Sequence, residues 1–257
     1  MNINAENISA LLPEKYRALH VTALGETDST NERAKQLAAE GAELPLLITA
    51  DSQTAGRGRR GRSFYSPPGC GLYMTLALPI RGALSSAVTL TTAAAAAVSR
   101  AIEELTAIRT GIKWVNDIYV SGKKVCGILA ETAARRGEAQ PSCVVIGVGI
   151  NLSTESFPDE LADTAAALGV PVSLRERLAA RICAELLDIY HALPDAGYME
   201  YYRSRSIVLG RDISFLADGR AFSGRALSVD DAGGLLVALP DGGEITLRSG
   251  EITLRLA

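Results

Sequence analysis

The chain has 257 residues, enough for one large domain or for a main domain with a small appendage. Hydrophobic residues make up 47% of it, charged residues 21%, and the formal net charge is −3. This charge argues against a general nucleic-acid binder, because it gives the surface no overall basic character. No apolar stretch is long enough to span a bilayer, and the first residues lack the pattern of a signal peptide.

Thiol and imidazole side chains are few and scattered. The four cysteines have no paired spacing, and the only histidines are His20 and His191. This pattern predicts neither a disulfide framework nor a metal site, and it is typical of proteins from a reducing compartment. The sequence therefore indicates a cytoplasmic protein.

The first predicted elements are a strand over residues 19–24 and a helix that follows Ser29 and ends at Glu40. Ser29 and Glu32 have the spacing of a capping box, in which each side chain bonds a free backbone N–H of the first turn. Gly41 is a natural helix stop, since glycine adopts the left-handed conformation that ends many helices.

Up to residue 205, apolar runs typical of strands alternate with amphipathic stretches typical of helices. Strands are predicted at 44–50, 72–78, 108–114, 118–120, 124–131 and 143–151, and helices at 85–105, 173–190 and 197–204. Ser173 is the expected cap of its helix. The turn at 121–123 should join its flanking strands into a hairpin.

At about residue 206 the character of the sequence changes. Short β-patterned runs alternate with glycine-containing turns over roughly 50 residues, which predicts a small β-barrel. We therefore expect a first domain of residues 1–205 and a second domain of residues 206–257.

One segment resists regular structure. Gly56–Arg62 holds four arginines and three glycines, and we call it the arginine loop. The glycines allow tight turns and a close approach to a ligand, while the arginines offer planar cations suited to phosphate or carboxylate. A solvated basic loop or a weak nucleic-acid patch would have the same composition.

The arginine loop is one of five clusters that lie in predicted strands or at their ends. The others are Ser-Thr-Asn at 29–31, Lys-Trp-Val-Asn-Asp at 113–117, Lys-Val-Cys-Gly-Ile-Leu at 124–129 and Gly-Val-Gly-Ile-Asn-Leu at 147–152. Together they resemble the biotin protein ligase family, from about residue 22 to the C-terminus. One such motif would be a weak signal, whereas five in the family's order are specific.

The resemblance implies an α+β fold, with a mixed-sheet catalytic domain of the biotin/lipoate ligase type and a small C-terminal SH3-like β-barrel. It implies an enzyme that converts biotin and ATP, with Mg²⁺, into biotinyl-5′-adenylate. Biotin then passes to a lysine of a biotin carboxyl carrier protein. Some members also carry an N-terminal DNA-binding domain, and the segment before Ser29 is too short for one. A ligase-only form without DNA or membrane partners is therefore expected, as a monomer or a homodimer.

The resemblance also assigns the site residue by residue. The expected catalytic residues are Lys124, Arg59 and Asp117. The residues expected to bind biotin or the adenylate are Ser29, Thr30, Asn31, Gln53, Gly56, Arg57, Gly58, Arg59, Arg62, Lys124 and Gly127. The residues expected to bind ATP are Trp114, Asn116, Asn151 and Arg255.

Each assignment competes with an ordinary structural role. A helix cap explains Ser29 without any ligand, and Lys124 follows Lys123 in a turn, where an exposed lysine is unremarkable. Asn116 is also part of a common turn signal. Trp114 fits a core position or a pocket wall better than a reacting group.

The chain departs from the family at three positions. Val115 stands where proline is usual, and Phe64 stands where tryptophan is frequent. Cys126 replaces a small residue, and we expect its thiol to be buried rather than reactive. None of these changes removes a charged group from the expected site.

Two further functions stay open at this stage. A lipoate or octanoate protein ligase or transferase would share the fold and a lysine, but would lack the arginine–glycine run. A non-catalytic nucleotide or nucleic-acid binder would also explain that run, although the net charge of −3 weighs against it.

Overall fold

The computed structural model describes residues 2–80, 87–217, 220–248, 250 and 252–254. Seven strands of the first domain form one sheet. They are β1 (His20–Thr27), β2 (Leu46–Gln53), β3 (Gly71–Pro79), β4 (Gly111–Lys113), β5 (Asp117–Val120), β6 (Lys123–Ala133) and β7 (Cys143–Asn151). Their order is β1-β2-β3-β7-β6-β5-β4, and the β1–β2 pair is parallel while the other neighbours are antiparallel. The predicted mixed sheet is confirmed.

Five helices pack around this sheet. They are α1 (Ala5–Leu11), α2 (Thr30–Ala39), α3 (Ala87–Thr106), α4 (Arg175–Ala192) and α5 (Tyr198–Arg205). The alanines at 93–97 of α3 are fully buried, which lets this helix approach the sheet and α4 closely. On the opposite face, α2 buries Ala34 and Ala38 against alternate residues of β2 and β7. The core therefore has two layers, one on each face of the sheet.

The helix α2 covers only part of its face of the sheet. Beyond its N-terminus, the same face of β6 and β7 carries Gly127, Gly147 and Gly149, and Gly127 pairs directly with Gly149. Because glycine has no side chain, these three residues leave a hollow in the sheet surface there. This hollow is where the candidate site lies.

Several predicted details are wrong. Ser29 precedes α2, but its side chain makes no capping hydrogen bond, and Glu32 pairs with cations instead. Ser173 is not a cap, because it lies inside a 3₁₀ turn and α4 begins at Arg175. The strand expected at 108–114 is shorter than predicted and consists of β4 alone. The backbone N–H of Thr110, just before β4, donates to the carboxylate of Glu103.

Other details are confirmed. Gly41 follows the C-terminus of α2 with φ of 91°, and β7 has the predicted bounds. The first two residues of the helix expected at 85–105 lie outside the described part of the chain. The lead-in segment contains α1, which was not predicted and which packs against α4.

The second domain is a small antiparallel sheet. Its strands are β8 (Asp212–Ala217), β9 (Arg220–Val229), β10 (Leu235–Ala238), β11 (Glu244–Leu247) and β12 (Ile252–Leu254). They are ordered β11-β10-β9-β8-β12. The α+β class, with a β-domain at the C-terminus, is confirmed.

The two domains meet at the Lys-Trp-Val-Asn-Asp segment. The indole N–H of Trp114 donates to the carbonyl of Gly233 in the second domain at 2.9 Å. Within the first domain, the hydroxyl of Tyr202 in α5 donates to the carbonyl of Val115 at 3.2 Å. Arg203 of α5 donates to the carbonyl of Val229 at 2.6 Å. Each contact satisfies a polar group at the junction, so the second domain is held against a wall of the site.

Nothing in the described residues forms a helix that is both long and apolar enough to cross a membrane. All four cysteines are in the described part, and each of them is a free thiol. Cys126 is completely buried, so the predicted burial of this cysteine is confirmed, and burial also raises the pKa of its thiol.

A carboxylate ties α3 to α5 and to the start of β4. Glu103 accepts two hydrogen bonds from Nε and Nη2 of Arg205, at 2.9 and 2.8 Å, and one from the hydroxyl of Tyr201 at 3.1 Å. It also accepts the backbone N–H of Thr110 at 2.9 Å. Burial alone would raise the pKa of Glu103, but these hydrogen bonds outweigh it and hold the pKa below its usual value.

Glu103→Gln should lower the free energy of unfolding by about 1–3 kcal/mol at neutral pH, because the variant lacks the charge that Arg205 binds. A lowered folded-state pKa gives stability that is present above the unfolded-state value of about 4.3 and is lost as the pH falls through the folded-state pKa. Urea unfolding of both proteins from pH 7 to about pH 3 should therefore show the difference shrinking in acid.

Glu104→Gln is the matched control, since Glu104 pairs with Arg181 on the surface and is half exposed. It should change stability by no more than about 0.5 kcal/mol. A Glu103→Gln difference that stays the same at every pH would contradict the proposed charge contribution.

Candidate active site

A cavity of about 400 Å³ opens above the glycine hollow. The predicted residues that line it are Ser29, Thr30, Asn31, Gln53, Arg57, Gly58, Arg59, Arg62, Trp114, Asn116, Asp117, Lys124, Gly127 and Asn151. Residues from five separate segments of the sequence therefore converge on one cavity. Two predicted site residues are not among them. Gly56 lies behind the lining, and Arg255 lies outside the described residues.

Gly56 does not line the cavity, but its lack of a side chain leaves space for the neighbouring residues Phe64 and Ser66. A Cβ at this position would lie 2.4 Å from the carbonyl oxygen of Phe64 and 2.7 Å from Oγ of Ser66. The absence of a side chain lets the two ends of the arginine loop pack together, and the N–H of Phe64 donates to the carbonyl of Gly56 at 2.8 Å.

The arginine loop is a short hairpin over the cavity. The N–H of Gly58 donates to the carbonyl of Arg62 at 2.7 Å, and Arg57 pairs with Ser63. The tip contains a 3₁₀ turn in which Arg60 and Gly61 have φ of 57° and 74°. Positive φ favours glycine at the tip. The loop thus supplies Arg57, Gly58, Arg59 and Arg62 to the cavity from one side.

One end of the cavity is polar but uncharged. Oε1 of Gln53 accepts from the backbone N–H of Thr30 at 2.9 Å, and Nε2 of Gln53 donates to Oγ of Ser66 at 2.9 Å. The hydroxyl of Thr75 donates to Oδ1 of Asn31 at 2.7 Å. Thr75 is completely buried, and it fixes side chains that line the cavity.

Asn31 fits closely against the sheet. Its Nδ2 donates to Oε2 of Glu131 at 2.9 Å and to the carbonyl of Leu129 at 3.3 Å. A Cβ at Gly147 would lie 2.2 Å from Oδ1 of Asn31. Only a glycine in β7 leaves space for this amide, so the Gly-x-Gly motif explains the position of the Ser-Thr-Asn motif.

The middle of the cavity is cationic. Nζ of Lys124 lies 2.7 Å from Oδ1 of Asp117, and Nη1 of Arg59 donates to Oδ1 of Asn116 at 3.0 Å. Nδ2 of Asn116 in turn donates to Oδ1 of Asp117 at 2.9 Å and to the carbonyl of Ile128 at 3.0 Å. Two neighbouring residues of one turn therefore hold both cations in place.

The third part of the cavity offers a hydrogen-bond acceptor. Asn151 is 4% exposed, and its Nδ2 donates to the carbonyl of Ala166 at 3.2 Å. Its Oδ1 is buried without a hydrogen-bond partner in the described part of the molecule. A buried acceptor without a partner is costly, so this atom is suited to an N–H donor of a ligand. Trp114, Ile252 and Thr253 line the cavity as well, which brings the second domain into the site.

Tyr119 also lines the cavity. Burial raises the pKa of its phenol to about 12, and the charge of Asp117 adds to this effect. The phenol is therefore neutral at physiological pH, and it gives the cavity a hydroxyl without a negative charge.

Phe64 was noted in the sequence as a departure from the family, and it lies against Gly127 and Gly149 in the site. Sequence reasoning missed several other residues of the site. The segment that follows β7 contributes Phe157, Leu161 and Thr164, and it carries no periodic pattern that would have revealed them. It is held by the backbone, since the N–H of Lys124 donates to the carbonyl of Thr164 at 2.9 Å.

Comparison with known families agrees with this geometry. Residues 24–151 match the biotin/lipoate A/B protein ligase family, and residues 208–255 match the biotin protein ligase C terminal domain. The first match contains the arginine loop and the sheet below it. The second match contains all five strands of the second domain.

Individual proteins agree as well. The bifunctional ligase/repressor BirA of Bacillus subtilis is 36% identical over 222 residues, which are 83% of this chain and 68% of the relative. The biotin–[acetyl-CoA-carboxylase] ligase of Mycobacterium tuberculosis is 32% identical over 250 residues, 92% of this chain and 89% of the relative. The solved biotin protein ligase from Aquifex aeolicus, in complex with biotin and ATP, has a TM-score of 0.72 and 29% identity, and covers 93% of this chain and 99% of that one. The chain therefore belongs to the biotin protein ligase family.

Gly149→Ala should displace the arginine loop, because the new Cβ would lie 2.4 Å from Cε1 of Phe64. The ring has to leave β7, and the loop that precedes it should move with it. Trypsin should therefore cleave after the loop arginines severalfold faster than in the unaltered protein.

Gly25→Ala is the control, since a Cβ at Gly25 meets nothing within 4 Å. It should be cleaved at the unaltered rate. Equal cleavage of the Gly149→Ala variant and the unaltered protein would show that Phe64 does not hold the loop.

Proposed function

We propose that the chain is an ATP-dependent biotin protein ligase that forms biotinyl-5′-adenylate and transfers biotin to a lysine of a biotin carboxyl carrier protein. The observation that carries this proposal is the position of Lys124 and Arg59 in the middle of the cavity. Lys124 lies beside Gly127, whose partner Gly149 stands in β7 between Gly147, next to Asn31, and Asn151. Arg59 joins this part of the cavity through Asn116. A site that joins a carboxylate to a nucleotide phosphate needs cations at this point, because the two reacting groups are anions.

The uncharged end suits the ureido ring of biotin. Thr30, Asn31 and Gln53 present hydroxyl and amide groups there, and all three are held by hydrogen bonds. Neutral donors and acceptors with fixed positions recognise a neutral cyclic urea without the desolvation cost of a charge. Ser29 lines the same region.

In the first step, a carboxylate oxygen of biotin attacks the α-phosphorus of ATP. An oxygen–phosphorus bond forms, the bond to the β-phosphate breaks, and pyrophosphate leaves. Lys124, Arg59 and Arg62 reduce the repulsion between the reacting anions, and Asp117 holds Lys124 in line. Gly58 and Gly127 let the backbone approach the intermediate closely.

We assign the adenine of ATP to the part of the cavity at Asn151. The exocyclic amine of adenine is a donor, and Oδ1 of Asn151 is an acceptor without a partner in the described residues. Trp114 forms an apolar wall of this part, and Asn116 lies beside it. We extend the proposal to Arg255 as a further contact to the nucleotide from the second domain, which is taken as residues 206–257.

Mg²⁺ enters with ATP as part of the substrate. Among the described residues, no group of three His, Cys, Asp or Glu side chains is placed to hold a metal ion. The phosphate oxygens would therefore supply most of its ligands, and Asp117 is the carboxylate of the described lining that faces them.

In the second step, the amine of the carrier lysine attacks the acyl carbon of the adenylate. An amide bond forms, the acyl–phosphate bond breaks, and AMP leaves. Because the adenylate reacts with water, the arginine loop has to cover it until the carrier arrives. The need for ATP and the free thiols of the chain support a cytoplasmic enzyme.

The test is to mix the protein with Mg-ATP and either biotin or lipoate, and to measure pyrophosphate. Release with biotin and not with lipoate is expected. Release with lipoate alone would identify a lipoate ligase, and no release with either acid would indicate a non-catalytic nucleotide binder.

Lys124→Ala should slow adenylate formation by about 10²–10³-fold, because a cation is removed from a site where water is largely excluded. The adjacent Lys123→Ala is the matched control, since Nζ of Lys123 donates to the carbonyl of Ala162 outside the cavity. It should keep nearly the full single-turnover rate. Equal rates for the two variants would contradict the role of Lys124.

The arginine loop should be mobile without ligand and closed with it. Like charges and flexible glycines make the loop costly to order, at about 1–2 kcal/mol per residue, until an anion gathers the arginines. Trypsin should therefore cut after the loop arginines quickly in the free protein and slowly with biotin and Mg-ATP. Equal cleavage rates in the two conditions would mean that the loop is not a ligand-closed lid.

A further inference from the structure

A charged cluster at the edge of the cavity takes no part in the proposed reaction, and only Arg57 of its members lines the cavity. It consists of Glu32, Lys35, Arg57 and Glu131. Arg57 pairs with Glu32 and lies 3.3 Å from Oε1 of Glu131, and Lys35 lies 2.7 and 3.4 Å from the same two carboxylates. Two cations and two anions balance here. The guanidinium of Arg57 is therefore neutralised by the protein itself, without an anionic ligand.

Glu131 is in contact with both sides of the site. Its Oε2 accepts from Nδ2 of Asn31 at 2.9 Å, and its Oε1 faces Arg57. Asn31 and Arg57 line the cavity, whereas Glu131 does not. One carboxylate on a strand thus joins the polar end of the cavity to the first turn of the loop that covers it.

The support for this carboxylate is rigid. Glu131 is in the C-terminal part of β6, where it pairs with Val145 of β7. Glu32 is in the first turn of α2, on the other side of Arg57. Both acceptors are fixed by regular backbone structure, so Arg57 at the base of the loop has a prepared surface to bind, while the tip of the loop still needs an anionic ligand to become ordered.

We propose that Glu131, with Glu32, is a positioning residue that anchors the arginine loop through Arg57. Arg57 then holds the loop in place, while Arg59 and Arg62 bind the anionic groups of the ligand. The contact with Asn31 couples the position of the loop to the polar end of the cavity. The effect on catalysis rests on the proposed function, since it requires that the loop covers biotin.

The direct test measures hydrogen exchange of the backbone amides at 56–64 in the ligand-free protein. Glu131→Gln keeps the size of the side chain and an acceptor for Asn31, but removes the charge that holds Arg57. It should speed exchange of these amides about fivefold. Glu32→Gln should act in the same direction, and it provides the same test if the Glu131 variant fails to fold. Glu104→Gln, which breaks a surface ion pair elsewhere, should leave exchange unchanged.

A double variant separates the two contacts of Glu131. If Glu131 acts through Arg57, then Glu131→Gln combined with Arg57→Gln should exchange no faster than the faster of the two single variants. Additive effects would mean that Glu131 acts through Asn31 or Lys35 and not through Arg57, and they would overturn the anchor.

Kinetics supply the second readout. In single-turnover pyrophosphate release, Glu131→Gln should raise the biotin concentration that gives half the maximal rate about tenfold and change the maximal rate less than about twofold, because the loss is in binding rather than in the reacting groups. Unaltered exchange in both the Glu131 and Glu32 variants would overturn the proposal. Failure of the unaltered protein to release pyrophosphate would overturn the proposed function, and would leave the exchange result standing as evidence on the anchor.

Discussion

The site depends on a strip of sheet surface that has no side chains. Gly127, Gly147 and Gly149 are on one face of β6 and β7, just beyond the end of α2. A Cβ at any of the three would press on a neighbour: Asn31 at Gly147, Phe64 at Gly149, and Lys124 together with Phe64 at Gly127. The helix start, the loop and the site lysine can therefore meet only because the sheet is hollow between them.

Much of the fold follows from local patterns. Buried strands such as β7 are apolar runs bounded by polar residues, and α3 is a long alanine-rich helix, so both are evident in the sequence. The capping box predicted at α2 failed because Glu32 binds a partner that is distant in sequence. Glu32 pairs with Arg57 of the loop, so its spacing from Ser29 gave a misleading signal. Tertiary charge pairing overrode the local rule.

The residues that form the site were largely predictable from the sequence, whereas the hydrogen bonds and ion pairs that hold them were not. Motifs that carry chemistry, such as the arginine loop and the Lys-Trp-Val-Asn-Asp segment, are recognisable because their residue types are unusual for their positions. The partners that hold them are not. Glu131 looks like an ordinary strand carboxylate and Thr75 like an ordinary strand threonine, and only the register of β3, β6 and β7 brings them to Asn31. The proposed separation of the loop arginines into an anchor and ligand contacts likewise has no signal in the sequence.

In the proposed reaction, cations held by one turn activate the substrate while the arginine loop keeps water from the product. The most direct measurement is to incubate the protein with biotin and Mg-ATP in the absence of any acceptor protein, pass it rapidly through a desalting column, and quantify bound biotinyl-adenylate by mass spectrometry. The account predicts about one adenylate retained per chain and pyrophosphate release that stops after one turnover, since the covered intermediate is protected from water. Continuous pyrophosphate release with no retained adenylate would contradict it.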